Sequence, residues 1–230
     1  MYETNRMRKL LALLALITLM AVTGCDSSAP PRKAEGNNEE NTRDFEGTIV
    51  AMGDSLTAGL GVAQDKSYPA LLEKLLAERG LNYRVVNAGI SGETSSGAKA
   101  RIDWVLKLNP DIVILETGAN DGLRGIDPEL VEENIEHIIV TLKQKEITVV
   151  LTGMMMLTNL GKNYVDAFNE LYPRLARRHE VVFMPFFLQD VAAEPGKNQA
   201  DGIHPNAAGY EILAANLLPY VEQAITLASP

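Results

Sequence analysis

Thr48-Ile49-Val50-Ala51-Met52-Gly53-Asp54-Ser55-Leu56-Thr57-Ala58-Gly59 begins as an unbroken apolar run and ends in small and polar residues. An apolar run without alternation is the pattern of a strand covered on both faces. Similar Val- and Ile-rich runs return at 83–87, 112–116, 148–151 and 181–184. Helical patterns separate them. Ser67 followed by Tyr68-Pro69 marks a helix start, after which Leu71, Leu72, Leu75 and Leu76 line one face. Pro128 opens a second helix, with Val131, Ile135, Ile138 and Leu142 at helical spacing. A third is predicted over about 164–178, with Pro173 expected to kink or interrupt it. A last helix follows Pro205 and runs to about Leu227. This β–α alternation predicts a parallel sheet in a layered α/β fold. Such folds carry their sites beyond the carboxyl ends of the strands.

The composition is that of a globular protein, with 230 residues, 46% hydrophobic and 22% charged. A chain of this length buries a core without needing disulfides or metals. The net charge of −9 excludes the basic face that nucleic acid requires and gives no attraction to anionic lipid. Cys25 is the single cysteine, so neither an intrachain disulfide framework nor a cysteine-based zinc cage is expected. His137, His179 and His204 do not show metal-ligand spacing, so no metal and no cofactor is expected.

The first residues read as an address. Arg6, Arg8 and Lys9 precede an apolar run from Leu10 to Val22, which is shorter than the roughly 20 residues a spanning helix needs. Val22-Thr23-Gly24-Cys25 then resembles the lipobox of bacterial lipoproteins. Residues 1–24 are therefore read as a lipoprotein signal peptide, and 25–46 as a lipidated Cys25 followed by a flexible linker. That linker holds Ser27-Ser28, Pro30-Pro31, Asn37-Asn38 and Glu39-Glu40, too polar to offset its ordering entropy. Residues 47–230 are read as the catalytic domain, tethered to a membrane through the lipid on Cys25 at the extracytoplasmic face of a bacterial envelope. Asp26 would favour inner-membrane retention in a Gram-negative source. A monomer is the expected state.

Four polar segments fall after strand patterns or before a helix. Gly53-Asp54-Ser55-Leu56 presents a serine at a strand end, a candidate nucleophile, although Thr57 stands where an α/β-hydrolase elbow needs its second glycine. Asn87-Ala88-Gly89-Ile90-Ser91-Gly92 offers an unobstructed backbone N–H at Gly92. Thr117-Gly118-Ala119-Asn120-Asp121-Gly122 supplies a side-chain amide suited to a developing negative charge. Each of the three, taken alone, is also an ordinary turn with Ser, Thr, Asn or Asp as caps. In Asp201-Gly202-Ile203-His204, a tight turn can set the carboxylate against the imidazole, fix its tautomer and leave Nε2 as a base. His137 and His179 are read as surface or structural residues.

Taken in order, these segments resemble the SGNH (GDSL-type) hydrolases, with closest likeness to their multifunctional thioesterase, lysophospholipase and arylesterase subgroup. The resemblance covers about Thr48 to the C-terminus. Ala119, where the thioesterases often have a second glycine, is similar to the arylesterases, and the loop around Met154-Met155-Met156-Leu157 departs from the subgroup. The likeness implies a three-layer α/β/α sandwich around about five parallel strands, of flavodoxin-like type. It implies Ser55, His204 and Asp201 as catalytic residues, and an oxyanion hole formed by the N–H groups of Ser55 and Gly92 and the Asn120 amide. The implied reaction is hydrolysis of small carboxylic esters or thioesters, of short-to-medium acyl, aryl or lysophospholipid-like type. Two alternatives are a carbohydrate O-acetyl esterase on the same scaffold and a lipid-anchored binding protein without turnover. The second conflicts with the presence of nucleophile, base, acid and donors together.

Overall fold

The computed structural model describes residues 45–156 and 160–228. The expected signal, the linker and Cys25 lie outside the described residues, apart from the linker's last two positions, and so does Leu157.

Five strands form one sheet: β1 (Gly47–Gly53), β2 (Tyr83–Gly89), β3 (Ile112–Leu115), β4 (Thr148–Thr152) and β5 (Val182–Met184). The order is β2-β1-β3-β4-β5 and every pairing is parallel. β3 is buried at every residue, and β1 is buried from Ile49 to its end, as their unbroken apolar runs require. The edge strand β2 is buried only at Tyr83 and Ala88.

Helices fill the connections. These are α1 (Ser55–Ala58), α2 (Tyr68–Glu78), α3 (Ser95–Ala100), α4 (Ile102–Leu106), α5 (Ala119–Leu123), α6 (Pro128–Lys143), α7 (Lys162–His179) and α8 (Ala207–Ala228). Their contacts sort them into two layers. One joins α2 to α8, and the other joins α3, α4, α6 and α7. The expected α/β sandwich with a five-stranded parallel sheet is the observed fold. Among the described residues no helix is long and apolar enough to cross a membrane.

The structure departs from the sequence expectation in three places. The short helices α1 and α5 occupy stretches read as turns, and α3 and α4 a stretch given no element, because four to six residues cannot display a helical stripe. β3 ends at Leu115, one residue before the expected end, with the Glu116 side chain buried. Helix α7 runs through Pro173. Proline removes one main-chain hydrogen bond and costs about 3 kcal/mol in a helix interior. A buried face of Phe168, Leu171, Tyr172 and Leu175 offsets that loss, with Phe168 packed between the rings of Tyr164 and Tyr172.

From β1 the chain moves to β2 on one side, then crosses back so that β3 lies on the other. The reversal opens a crevice beyond the carboxyl ends of β1 and β3. Ser55 follows β1 and Asn120 follows β3, one on each side of it.

Candidate active site

Ser55 is the first residue of α1, with Asp54 as its cap. The Asp54 Oδ1 accepts the Leu56 N–H at 2.9 Å, and left-handed Gly59 closes the helix after a single turn. Backbone from the strand end passes close to its neighbours here, and glycine at 53 is obligatory. A Cβ on Gly53 would overlap Thr57 Oγ1 and the Glu116 carboxyl group.

His204 reaches Ser55 across 149 positions of sequence, with Nε2 2.9 Å from Oγ. Its Nδ1 lies 2.7 Å from Asp201 Oδ2. Asp201 Oδ1 accepts the N–H groups of Ile203 and His204, each at 3.0 Å. Those two backbone donors and the imidazole hold the Asp201 carboxyl down at about 2, below the ordinary carboxylate value of 3.8. An ionised carboxylate can only accept, so the imidazole hydrogen lies on Nδ1 and Nε2 is left to accept from the serine hydroxyl.

The other two segments follow β2 and β3, the strands on either side of β1. Asn120 stands at the start of α5 and donates its Nδ2 to Asp54 Oδ2 at 3.0 Å. Gly92 adopts φ +80°, a conformation open to glycine, and among the described residues its N–H makes no hydrogen bond. Its carbonyl accepts from Arg124 Nη2 at 2.9 Å, and Ile90 N–H donates to Gly53 O at 2.9 Å, tying the segment to the end of β1. Ser55, His204 and Asp201 are thus linked directly. Asn120 joins them through Asp54, and Gly92 through Ile90 and Arg124.

Several polar groups of this site carry no local sequence motif. Glu116 is fully buried. Its Oε2 accepts Asp54 N–H at 3.1 Å and Thr57 Oγ1 at 2.9 Å. Burial first, and then the neighbouring Asp54 charge, push the Glu116 carboxyl well above its ordinary range. Buried Asp121 accepts the N–H and the hydroxyl of Ser95 at 2.8 and 2.6 Å, and Asn134 Nδ2 donates to Ser95 Oγ at 3.1 Å. Gln199 Nε2 donates to Leu60 O at 2.7 Å and to Pro205 O at 2.9 Å, connecting the histidine loop to the serine loop. The one available signal for Glu116 was a charged residue closing a continuous apolar strand; for the others it was absent, because their partners are distant in sequence. His179 sits elsewhere, 2.8 Å from Glu136 between α7 and α6. Of the methionines after β4, Met154 is core, Met155 is exposed and Met156 packs over Gly122. Among the described residues no cluster of three His, Cys, Asp or Glu side chains could hold a metal.

Residues 51–212 match the GDSL-like lipase/acylhydrolase family. The chain belongs to that family. This GDSL-like acylhydrolase is 40% identical to an arylesterase of Vibrio mimicus over 158 residues, 68% of this chain and 79% of the relative. It is 37% identical over 168 residues to thioesterase 1/protease 1/lysophospholipase L1 of Escherichia coli K12, covering 73% and 79%. The crystal structure of TesA matches it with a TM-score of 0.74 at 38% identity, over 77% of this chain and 99% of that one. As a GDSL-like acylhydrolase the chain is a carboxylic ester hydrolase with a serine nucleophile.

Proposed function

We propose that this esterase cleaves small carboxylic esters and thioesters through an acyl-enzyme on Ser55. The observation that carries the reading is the unbroken chain Ser55 Oγ–His204 Nε2–Asp201, with links of 2.9 and 2.7 Å. Ser55 Oγ attacks the carbonyl carbon as its proton passes to His204 Nε2. Asp201 Oδ2 accepts from Nδ1 and stabilises the imidazolium while it lasts. The oxyanion receives the N–H groups of Ser55 and Gly92 and the Asn120 amide, donors that act on charge present only in the transition state. His204 then protonates the departing alkoxide or thiolate. Water, deprotonated by the same imidazole, releases the acid and restores the serine.

The acyl group is proposed to be short to medium, aryl, or that of a lysophospholipid. Exposed apolar side chains on the site loops support this: Leu60 follows the serine helix, Ile90 precedes Gly92, and Ile203 adjoins His204. Labelling by a fluorophosphonate probe and hydrolysis of a graded acyl-ester series test the reading together. Ser55→Ala is expected to abolish labelling and to lower kcat by roughly 10⁴–10⁶-fold. Absence of labelling in the wild type would instead mark a binding protein, and turnover confined to acetylated sugars a carbohydrate esterase.

The lipobox-like Val22-Thr23-Gly24-Cys25 supports a further part of the proposal, a lipid tether at Cys25 on the extracytoplasmic side of a bacterial membrane. Wild-type protein is then expected in the membrane fraction, and Cys25→Ser in the soluble one. A Cys25→Ser protein that has lost its signal and still sediments with membranes would refute the tether.

A further inference from the structure

Glu116 is a buried carboxyl group that the mechanism above does not use. Its Oε2 is satisfied by Asp54 N–H and by Thr57 Oγ1. Its Oε1 is buried and has no hydrogen-bond donor among the described residues. None of the ion pairs among the described residues includes it. The titratable groups around it are the Asp54 carboxyl and the phenols of Tyr68, Tyr172 and Tyr210, all uncharged or anionic. Arg101 spends Nε and Nη2 on Glu93 and Gly53 O, its buried Nη1 has no partner among the described residues, and it makes neither a hydrogen bond nor an ion pair with Glu116.

An ionised Glu116 would leave one anionic oxygen buried and unpaired beside a second carboxylate, an arrangement that proteins avoid by neutralising one partner. A protonated Oε1 removes the orphan, because the hydroxyl becomes a donor and Asp54, whose N–H already binds Oε2, carries the neighbouring carboxylate that can accept it. We propose that Glu116 is a positioning residue, held as a neutral acid that donates its Oε1 hydrogen to the Asp54 carboxylate and so sets the sense of the Asn120 amide. The inference rests on the reading of Asn120 as an oxyanion donor.

The link from Glu116 to Asn120 is one of hydrogen-bond sense. An ionised Asp54 accepts only, so it takes Leu56 N–H on Oδ1 and Asn120 Nδ2 on Oδ2. One Nδ2 hydrogen of Asn120 is spent on Asp54 and the other is free for the oxyanion. If the shared proton sat on Asp54, that carboxyl could donate to Asn120 Oδ1, the amide would turn over, and an oxygen would face the developing negative charge. Glu116 thereby acts on the reaction without touching substrate.

Three variants separate this from a role in folding alone. Gln reproduces a neutral acid here, with its carbonyl accepting from Asp54 N–H and Thr57 and its amide donating to Asp54. Glu116→Gln is expected to keep kcat within about threefold of wild type, whereas Glu116→Leu loses about 10²-fold in kcat with KM little changed. The acidic limb of the kcat/KM profile stays in place in Glu116→Gln, since no charge is removed. It moves to lower pH in Asp54→Asn, which deletes the anion that interacts with His204. If Glu116→Leu fails to fold, the comparison of Glu116→Gln with Asp54→Asn still decides. Infrared difference spectra of wild type against Glu116→Gln read the proton directly: a neutral-acid carbonyl band is expected to vanish. Loss of a carboxylate band, an acidic limb displaced in Glu116→Gln, or a Glu116→Gln kcat as low as that of Glu116→Leu would each overturn the proposal. The Ser55→Ala measurement separates the two readings: if Ser55→Ala stays active, the serine mechanism itself fails, whatever Glu116 does.

Discussion

The two halves of the Ser55–His204 pair are built on different ground. The serine half grows from the ends of β1 and β3, where Asp54, Thr57 and Glu116 are buried and linked over some 60 positions of sequence. The histidine half is a loop before α8 in which the Asp201 side chain is 44% exposed and bonded to its own turn. A buried network of long-range contacts ties chemistry to folding, since removing a member leaves other polar groups orphaned in the core. A local turn in solvent can lose a member and leave the fold standing. Substitutions on the two sides should therefore separate activity from stability differently.

The largest effect on the exposed side is expected from Asp201→Asn. The Asn amide can keep the Ile203 and His204 N–H bonds through its oxygen, yet its NH₂ then faces Nδ1 and forces the hydrogen onto Nε2. That tautomer cannot take the serine proton, and kcat is expected to fall about 10²–10⁴-fold with the thermal midpoint nearly unchanged. In the wild type Asp201, with its carboxyl at about 2, stays ionised well below neutral pH. Because the Asp201 carboxyl is exposed and screened by solvent, its depression adds only little stability, present above its unfolded value of about 3.9 and lost as pH falls through about 2. Loss of activity between neutral pH and pH 4 therefore does not report protonation of Asp201, and rate profiles of wild type and Asp201→Asn check this. A large drop in thermal midpoint in Asp201→Asn would erase the contrast between the two halves.

Asn120→Ala probes the buried side. Removal of one oxyanion donor lowers kcat by about 10²–10³-fold, and KM is expected to change little. Because Asp54 Oδ2 also loses its partner in a part-buried place, the thermal midpoint should fall as well. An unchanged kcat with a raised KM would make Asn120 a substrate contact and remove it from the oxyanion hole.

The sequence and the structure differ in legibility along the same divide. Five apolar runs, the stripes of two helices and the extents of the two that follow were readable because burial acts on whole elements with fixed periods. Ser55, Gly92 and Asn120 stand in compact segments after strand ends, where chain direction alone brings them to one edge of the sheet, and Asp201 and His204 share one compact turn before the last helix. Glu116, Gln199 and the Asp121–Ser95–Asn134 group escaped, because each acts through a partner 26 or more positions away. Pro173 does not interrupt α7 for a related reason: a local rule was outweighed by the aromatic face that α7 buries.

Gln199 crosses the divide, and it carries the smallest of these expected effects. Its Nε2 binds Leu60 O on the serine side and Pro205 O next to His204, so one amide ties both loops. Two hydrogen bonds of ordinary net strength, partly exposed, contribute about 1–2 kcal/mol together. Gln199→Ala leaves Ser55, His204 and Asp201 chemically intact but lets the Oγ–Nε2 distance vary, which should lower kcat by about 5–10-fold while probe labelling persists at a reduced rate. Gln199→Glu sharpens the result, since a carboxylate of the same length accepts where the native amide donates and faces two carbonyl oxygens. It should slow labelling more than Gln199→Ala does. Equal labelling rates for wild type, Gln199→Ala and Gln199→Glu, with only the thermal midpoint reduced, would show the tether to serve the fold alone. The turn around Asp201 would then suffice to aim the imidazole.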